Sequence, residues 1–290
     1  MAIPTVVSVG TTTAGVGAIE PPWGTHASGD LGLLFVETVD QAVTPTDWLV
    51  VPNSPILNVA LTTRLSVFYR FATSAAESAP VVADPGEHAV GVVITFNGVD
   101  ATNPFHAIAG MGGAGATASG SFPALLTSVN DCLIVHAMSW NLDNAGPIAG
   151  AATNALLASI TEQHDAGTLD GNGGGIVVIT ATLAAAGPTG ATTATFTAAG
   201  AASMTIALQP APIAATFTVA DTVTIDGVPA ADGTTVEIWD DTLKARETSC
   251  LVAGGAGAFT ALVRFNDADR YFCTYDDGTN YGRSALDTAV

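Results

Sequence analysis

Short runs of alternating apolar and polar side chains, separated by Gly, Pro, Asn and Asp, dominate this sequence. In residues 64–71 (RLSVFYRF), an extended chain places Leu65, Val67, Tyr69 and Phe71 on one face. Such period-two alternation indicates a β-strand with one buried face. Lys and Glu are too scarce for any window to give a helix a polar face with i to i+4 ion pairs. The pattern therefore predicts an all-β protein built from antiparallel sheets.

The alternating runs are numerous enough for a large sandwich. Before residue 210 we predict strands at 5–9, 31–38, 47–51, 64–71, 90–96, 131–140, 175–183, 193–198 and 203–208. These would form a two-layer, jelly-roll-like antiparallel β-sandwich. Two Gly/Ala-rich stretches, 107–122 and 141–159, are expected to be long loops, the second with a short helix at 154–160.

A proline-containing segment marks the predicted domain boundary. Residues 209–215 (QPAPIAA) carry two prolines within three positions, which removes backbone donors and stiffens the chain. Beyond it the alternating runs resume, with DG pairs at Asp226 and Asp232 that suit tight turns. We therefore predict a large β-sandwich over 1–210 and a small separate β-sandwich over 211–290.

Charge is the most unusual property of the composition. The 290 residues include 7 basic and 26 acidic side chains, for a formal charge of −19. Because binding to phosphate backbones needs Lys and Arg, a nucleic-acid partner is not expected. The same charge suits a surface that must stay soluble and resist non-specific association.

Two further absences in the sequence bear on location. No run of eighteen or more residues is free of breakers, so membrane insertion is not expected. The N-terminus has no Lys or Arg ahead of an apolar segment, so no signal peptide is predicted.

The three cysteines, Cys132, Cys250 and Cys273, form neither a CxxC pair nor a dense framework. This spacing argues against a structural zinc site and against a disulfide scaffold. Buried apolar thiols are the favoured interpretation, and a Cys250–Cys273 disulfide is the alternative.

The sequence contains no recognisable catalytic motif, and we predict that the protein is not an enzyme and takes no cofactor. The five histidines are far apart in the chain. His136, within the run CLIVHAM, is expected to be a core or interface residue with its hydrogen bonds satisfied. In residues 98–104, Asp100 and Asn103 are expected to cap turns where a strand ends, and a ligand site with His106 is the alternative.

Two acidic loops are candidates for calcium, because that ion needs oxygen donors on flexible turns. The first is 164–175 (HDAGTLDGNGGG), with Asp165, Asp170 and Asn172, and the second is the segment FNDADRYF, with Asp267 and Asp269. Neither has the spacing of a known calcium loop, so solvated turns are the favoured alternative and no metal is predicted.

Two tryptophans in loop-like settings, Trp23 and Trp140, are candidates for stacking on sugar rings. Aromatic side chains offer a flat apolar face to such a ligand. The alternative is that each indole belongs to the core.

The order of several segments resembles a β-domain that is common in virion proteins of tailed bacteriophages. The segments are SGDLGLLFVET (28–38), TPTDWLVV (44–51), RLSVFYRFA (64–72), VGVVITFNGVDATNPF (90–105) and TIALQP (205–210). Proteins with this domain include minor tail, fibre and head-decoration proteins.

The C-terminal region resembles the small transthyretin-like or carboxypeptidase-regulatory-like module. The resemblance lies in 223–249 (VTIDGVPAADGTTVEIWDDTLKARETS), 259–265 (FTALVRF) and 270–290. Such modules serve as spacers or adhesive heads, and they carry no catalytic residues to transfer to this chain.

Together the two resemblances imply a non-enzymatic structural protein on the surface of a tailed-phage virion. The implied role is head decoration, head fibre or a tail-associated protein, with other capsid or tail proteins as partners. Small-residue surfaces would support a symmetric homo-oligomer, such as a trimer. The alternative is a host-adhesion protein that binds a surface glycan.

Overall fold

The chain divides by its internal contacts into two units, Met1–Pro212 and Ile213–Val290. The computed structural model describes residues 2–39, 41–113, 117–199 and 201–212 of the first unit and the strands given below for the second. The described residues contain no helix, which confirms the all-β fold class. No helix among them therefore has the length and hydrophobicity needed to cross a membrane.

The described residues of the first unit form fifteen strands, β1 to β15. They are β1 Thr5–Val9, β2 Thr13–Gly15, β3 Leu31–Thr38, β4 Leu49–Val50, β5 Ile56–Leu57, β6 Arg64–Phe71, β7 Ala89–Asn97, β8 Phe105–Gly112, β9 Thr117–Phe122, β10 Cys132–Trp140, β11 Ala149–Thr153, β12 Ala158–Thr168, β13 Gly174–Leu183, β14 Thr192–Ala199 and β15 Ala201–Leu208.

These strands form three antiparallel sheets. The front sheet has the order β1-β7-β3-β6-β4, with β2 added to β7 and β5 added to β6. The central sheet has the order β12-β13-β10-β15-β8, and the back sheet has the order β11-β14-β9. The front and central sheets pack as the predicted two-layer sandwich, whereas the predicted strand at 193–198 lies in the back sheet, a third layer that the sequence did not predict.

The main core lies between the front and central sheets. Alternate residues of β3, β6 and β7 point into it, and the predicted face that contains Leu65 and Val67 is confirmed. The central sheet contributes Val135, Ile176 and Ile206 from three neighbouring strands. Burial of these apolar side chains supplies the largest favourable contribution to folding.

The expectation of one buried face per strand is wrong for the middle of both sheets. All eight residues of β3 and all nine of β10 are buried. The outer face of the front sheet is covered by the segments on either side of β3, from which Trp23 and Trp48 pack against it. The back sheet covers the far side of the central sheet, where Phe196 packs with Met138 and Trp140.

The Gly/Ala-rich stretches are not the predicted loops. Residues 107–122 contain most of β8 and all of β9, and 141–159 contain β11. The helix expected at 154–160 is also wrong, because a short turn there leads into β12. Small residues are needed for close packing of the layers. A Cβ at Gly120, for example, would lie 2.9 Å from Met138 Cε and closer still to the ring of Phe196.

The second unit is also built from antiparallel strands. They are β16 Thr216–Thr222, β17 Thr224–Ile225, β18 Val228–Pro229, β19 Thr235–Asp240, β20 Ala245–Leu251, β21 Ala258–Arg264, β22 Arg270–Asp276, β23 Tyr281–Arg283 and β24 Asp287–Thr288. One sheet has the order β20-β19-β22-β23 with β24 on β22, and β16 pairs with β21.

The strand order places Cys250 and Cys273 on opposite sides of β19. Cys250 pairs with Val236 and Cys273 pairs with Ile238. Two inter-strand spacings separate their backbones by roughly 9.6 Å. This exceeds the Cα separation of about 7 Å that a disulfide can span, so the alternative of a Cys250–Cys273 bridge is not supported.

Candidate functional site

Polar side chains close one end of the main core. Glu37 follows Leu33 and Phe35 on the core face of β3, and His88 precedes Val90 on the core face of β7. Thr63, directly before β6, and Ser139, in β10, likewise continue the core-facing rows of their strands. Glu87 lies beside His88. We call these five residues the end cluster: Glu37, Thr63, Glu87, His88 and Ser139.

The end cluster is a continuous chain of polar contacts. His88 Nε2 lies 2.9 Å from Glu37 Oε2, and the Thr63 hydroxyl donates to Glu37 Oε1 over 2.9 Å. The same hydroxyl lies 2.9 Å from Ser139 Oγ, which connects the front sheet to the central sheet. On the other side of the ring, Glu87 Oε2 lies 3.3 Å from His88 Nδ1, at ion-pair distance but without hydrogen-bond alignment.

Local sequence places these groups. The side-chain oxygen of Asn58 accepts the backbone N–H groups of Thr62 and Thr63, which fixes the loop ahead of β6. Gly174 begins β13 directly against the acid–imidazole pair, where a Cβ would lie 2.6 Å from His88 Nε2 and closer still to Glu37 Oε2. Glycine at this position therefore leaves room for the pair.

Burial and mutual contact both change the ionisation of the pair. Burial raises the pKa of Glu37 to about 7, against a smaller lowering by its hydrogen bond with His88. Burial acts to lower the pKa of His88, but the hydrogen bond with Glu37 and the charges of Glu37 and Glu87 outweigh it, so that the His88 pKa is raised. Both groups therefore hold protons more tightly than they would in water.

The end cluster can exchange a proton, but it cannot receive a substrate as it stands. The side chains of Glu37 and His88 are 0% exposed, and only Glu87, with a side chain 36% exposed, reaches solvent. This burial leaves no surface on which the acid–imidazole pair could bind a reactant.

Both tryptophans proposed for sugar stacking are in the core. Trp23 is 9% exposed and packs against Trp48 at a ring-centroid distance of 5.2 Å. Trp140 is fully buried, and the expectation that it lies in a loop is wrong, because it is the last residue of β10. Neither indole presents a face to a ligand in this structure.

The first candidate calcium loop, 164–175, is mostly strand. Asp165 lies in β12, where Oδ2 accepts the backbone N–H groups of Ile148 and Ala149. Asp170 instead accepts a hydrogen bond from Thr168, and Asn172 lies in the turn that follows. Asp267 and Asp269 lie outside the described residues. Within the part of the chain that the structure describes, no three His, Cys, Asp or Glu side chains are grouped as metal ligands.

Asp100 and His106 do not form one site. Asp100 Oδ1 accepts the backbone N–H groups of Thr102 and Asn103, so its predicted turn-capping role is confirmed. His106 Nε2 instead accepts the backbone N–H of Ser128.

The prediction for His136 as a satisfied core residue is confirmed. Its ring is fully buried, with Nδ1 2.9 Å from the Thr205 hydroxyl and Nε2 2.9 Å from the Thr192 hydroxyl. Burial lowers the pKa of His136 to about 4, so the ring is neutral at physiological pH.

Comparison with known proteins adds no relative: no protein-family model, curated protein or solved structure matches this chain.

The end cluster was missed from the sequence, although a signal for it was present. In LGLLFVET, Glu37 continues the apolar stripe of Leu33 and Phe35, and His88 continues the stripe of β7 in the same way. A charged side chain on a core stripe is costly to bury unless it has a partner. Two such residues on separate strands could therefore have been matched to each other.

Proposed function

We propose that the chain is a non-enzymatic structural protein of a tailed-phage virion, displayed on the particle surface in a head or tail position. The observation that carries this proposal is how the polar residues are used. The polar side chains of Asp100, His136 and Asp165 each bond to the protein's own backbone or core. Their side chains hold layers and turns together, as expected of a protein whose role is mechanical.

The segments that carry the resemblance to virion proteins support the same proposal. They correspond to β3, β6, β7 and β15, with the short β4 beside them, and all belong to the front or central sheet. The resemblance therefore concerns the strands that enclose the main core, which are the strands that define the sandwich.

Exposed apolar residues on an edge strand are consistent with contacts to other virion subunits or to a second copy. Leu49 is 61% exposed and Val50 is 48% exposed, and together they form β4 at the edge of the front sheet. Edge strands present unpaired backbone groups to a neighbour. We propose that capsid or tail proteins are the partners and that the protein forms homo-oligomers.

The test is detection of the chain on intact particles of the phage that encodes it. Antiserum raised against the purified protein should label particles banded in a density gradient, and immunogold electron microscopy should place the label on the head or the tail. Pre-immune serum is the control. If the chain remains entirely in the particle-free fraction of the lysate, the proposal is wrong.

Glycan binding, the alternative function, has lost its structural support because Trp23 and Trp140 are buried. A glycan array with the purified protein separates the two proposals. A virion component without adhesive function should give no signal above that of a heat-unfolded sample.

A further inference from the structure

The ring of His88 lies between two carboxylates. Glu37 Oε2 is 2.9 Å from Nε2, and Glu87 Oε2 is 3.3 Å from Nδ1. A neutral imidazole has one N–H group, so one of its two nitrogens would direct a lone pair at a carboxylate oxygen. Protonation removes that repulsion, because both nitrogens of an imidazolium carry hydrogen. The contacts of His88 with the two carboxylates are therefore best satisfied when both of its ring nitrogens carry hydrogen.

The surroundings of the pair supply few other polar groups. Thr63 contributes a hydroxyl from the segment before β6, Ser139 contributes a hydroxyl from β10, and Gly174 contributes backbone from β13. The ionisable groups that act on Glu37 are His88 and Glu87, and those that act on His88 are Glu37 and Glu87. The ionisable members of the cluster are thus three side chains, and the nearby Asp170, in the turn that approaches His88 through Gly171, accepts a hydrogen bond from Thr168.

The position of the cluster makes its proton count matter for the fold. Glu37 lies in β3 and His88 directly precedes β7, both strands of the front sheet, whereas Ser139 and Gly174 belong to the central sheet. With no proton on the pair, a carboxylate would be buried beside a second carboxylate without a cation between them. Burying an uncompensated charge is costly, and separation of the sheet ends would let water relieve that cost.

We propose that His88, held between Glu37 and Glu87, is a proton-dependent latch that joins the front and central sheets near neutral pH and loosens in alkaline solution. The proposal does not depend on the role of the chain in a virion. Glu87 connects the latch to solvent, because its side chain is partly exposed while the other members are buried.

The direction of the ionisation changes agrees with this proposal. The pKa of Glu37 is raised to about 7 by burial, and the pKa of His88 is raised by the two carboxylates. For both groups the folded state binds protons more tightly than the unfolded state. The stabilisation is present below the unfolded pKa values and is lost as the pH rises through the folded ones.

The first test follows the ring directly in the full-length chain. With ¹³C-labelled histidine, the His88 resonance is assigned by its loss in His88→Asn, and the wild-type protein is then titrated from pH 5 to 10. We expect the midpoint of His88 to lie above the ordinary value of about 6.5. A midpoint below that value would overturn the proposal. This measurement needs only the wild-type fold.

The second test links the proton to stability. Between pH 6.5 and 9 the thermal unfolding midpoint of the wild-type protein should fall by roughly 5 °C, which is the order expected for a shifted buried group in a unit of this size. Carboxylates with ordinary pKa values are already ionised over this range and contribute little. In Glu37→Gln this decrease of the unfolding midpoint with pH should be mostly lost, because the amide cannot become charged.

A matched control changes a histidine outside the latch. His106→Gln should retain the wild-type fall, since His106 bonds to the backbone of Ser128 instead. An equal decrease of the unfolding midpoint in Glu37→Gln and in the wild-type protein would refute the latch. If Glu37→Gln does not fold, Glu87→Gln supplies the second variant. It should lower the His88 midpoint in the NMR titration, and an unchanged midpoint would count against the proposal.

Discussion

The indole of Trp23 lies directly on Gly32 of β3, where a Cβ at position 32 would come within 2.5 Å of Trp23 Cζ3. The contact holds the segment before β3 against the outer face of the front sheet, in the cluster that also contains Trp48. Glycine at this position is therefore a requirement of the covering layer.

Gly32→Ala should destabilise the protein by about 1–3 kcal/mol, because the added methyl group would force the indole out of its position. Chemical denaturation followed by intrinsic fluorescence measures the change. Gly17→Ala is the matched control, since no heavy atom lies within 4 Å of the Cβ that it would add. Equal midpoints for the two variants would contradict the packing described for Trp23.

The imidazole of His136 should remain neutral down to about pH 4, the value to which burial lowers its pKa. Because this folded-state pKa is below the unfolded value of about 6.5, the stability associated with it is present above pH 6.5 and is lost as the pH falls toward 4. NMR titration of the ring measures this directly, with the urea-unfolded chain as the control. A folded-state midpoint above 6 would show that the ring is not enclosed as described.

Asp165→Ala should cost about 2 kcal/mol, because the backbone N–H groups of Ile148 and Ala149 would lose their acceptor. The measurement is the free energy of unfolding in denaturant. Asp84→Ala is the control, since it removes one exposed turn hydrogen bond to Gly86 and should cost less. Equal losses in the two variants would show that Asp165 does not hold the 148–149 segment.

The carboxyl of Asp165 should also titrate at a higher pH than an ordinary aspartate. Burial raises its pKa to about 6, so the stabilisation of its protonated form is present below the ordinary value of 3.8 and is lost as the pH rises through about 6. The stability of the wild-type protein relative to Asp165→Asn should therefore rise as the pH is lowered from 7 to 4, because the amide does not titrate. A difference that is constant over this range would argue against a raised pKa.

The Cys132 thiol should be protected from alkylation in the folded protein. It is buried, and burial raises its pKa to about 11, so the reactive thiolate is scarce at pH 8. Peptide mass spectrometry after iodoacetamide treatment should find Cys132 unmodified in the native protein and modified after unfolding in guanidinium. Modification of the native thiol at the rate of a free cysteine would refute its burial.

The strands with large β-branched and aromatic side chains could be predicted closely from the sequence. The predicted runs at 31–38 and 64–71 coincide with β3 and β6, and the run at 5–9 coincides with β1. Alternation locates such strands because their large side chains mark the buried face. It does not reveal how many layers cover a sheet, since β10 has apolar residues on both faces for two different cores.

Strands made of small residues could not be found in the same way. β11 consists largely of Gly and Ala, and so does half of β8; the packing of such residues depends on what lies opposite them and not on their own hydrophobicity. The calcium and sugar candidates from the sequence were wrong for a related reason. Asp165 and Trp140 are conspicuous in the sequence, but their partners, such as the backbone of Ala149, come from distant parts of the chain. The pair Glu37 and His88 of the end cluster, in contrast, could have been predicted from the alternation, because each residue continues the apolar face of its strand.

The order of strands in the central sheet has a consequence for how the protein is made. β15, the last strand of the first unit, lies between β10 and β8, so β8 has no neighbour in its sheet until residue 208 has been synthesised. Pairing of residues that are distant in the chain costs loop-closure entropy before the contacts between them stabilise the fold. The central sheet therefore cannot be complete until its final strand is inserted, and that requires almost the whole unit to have left the ribosome.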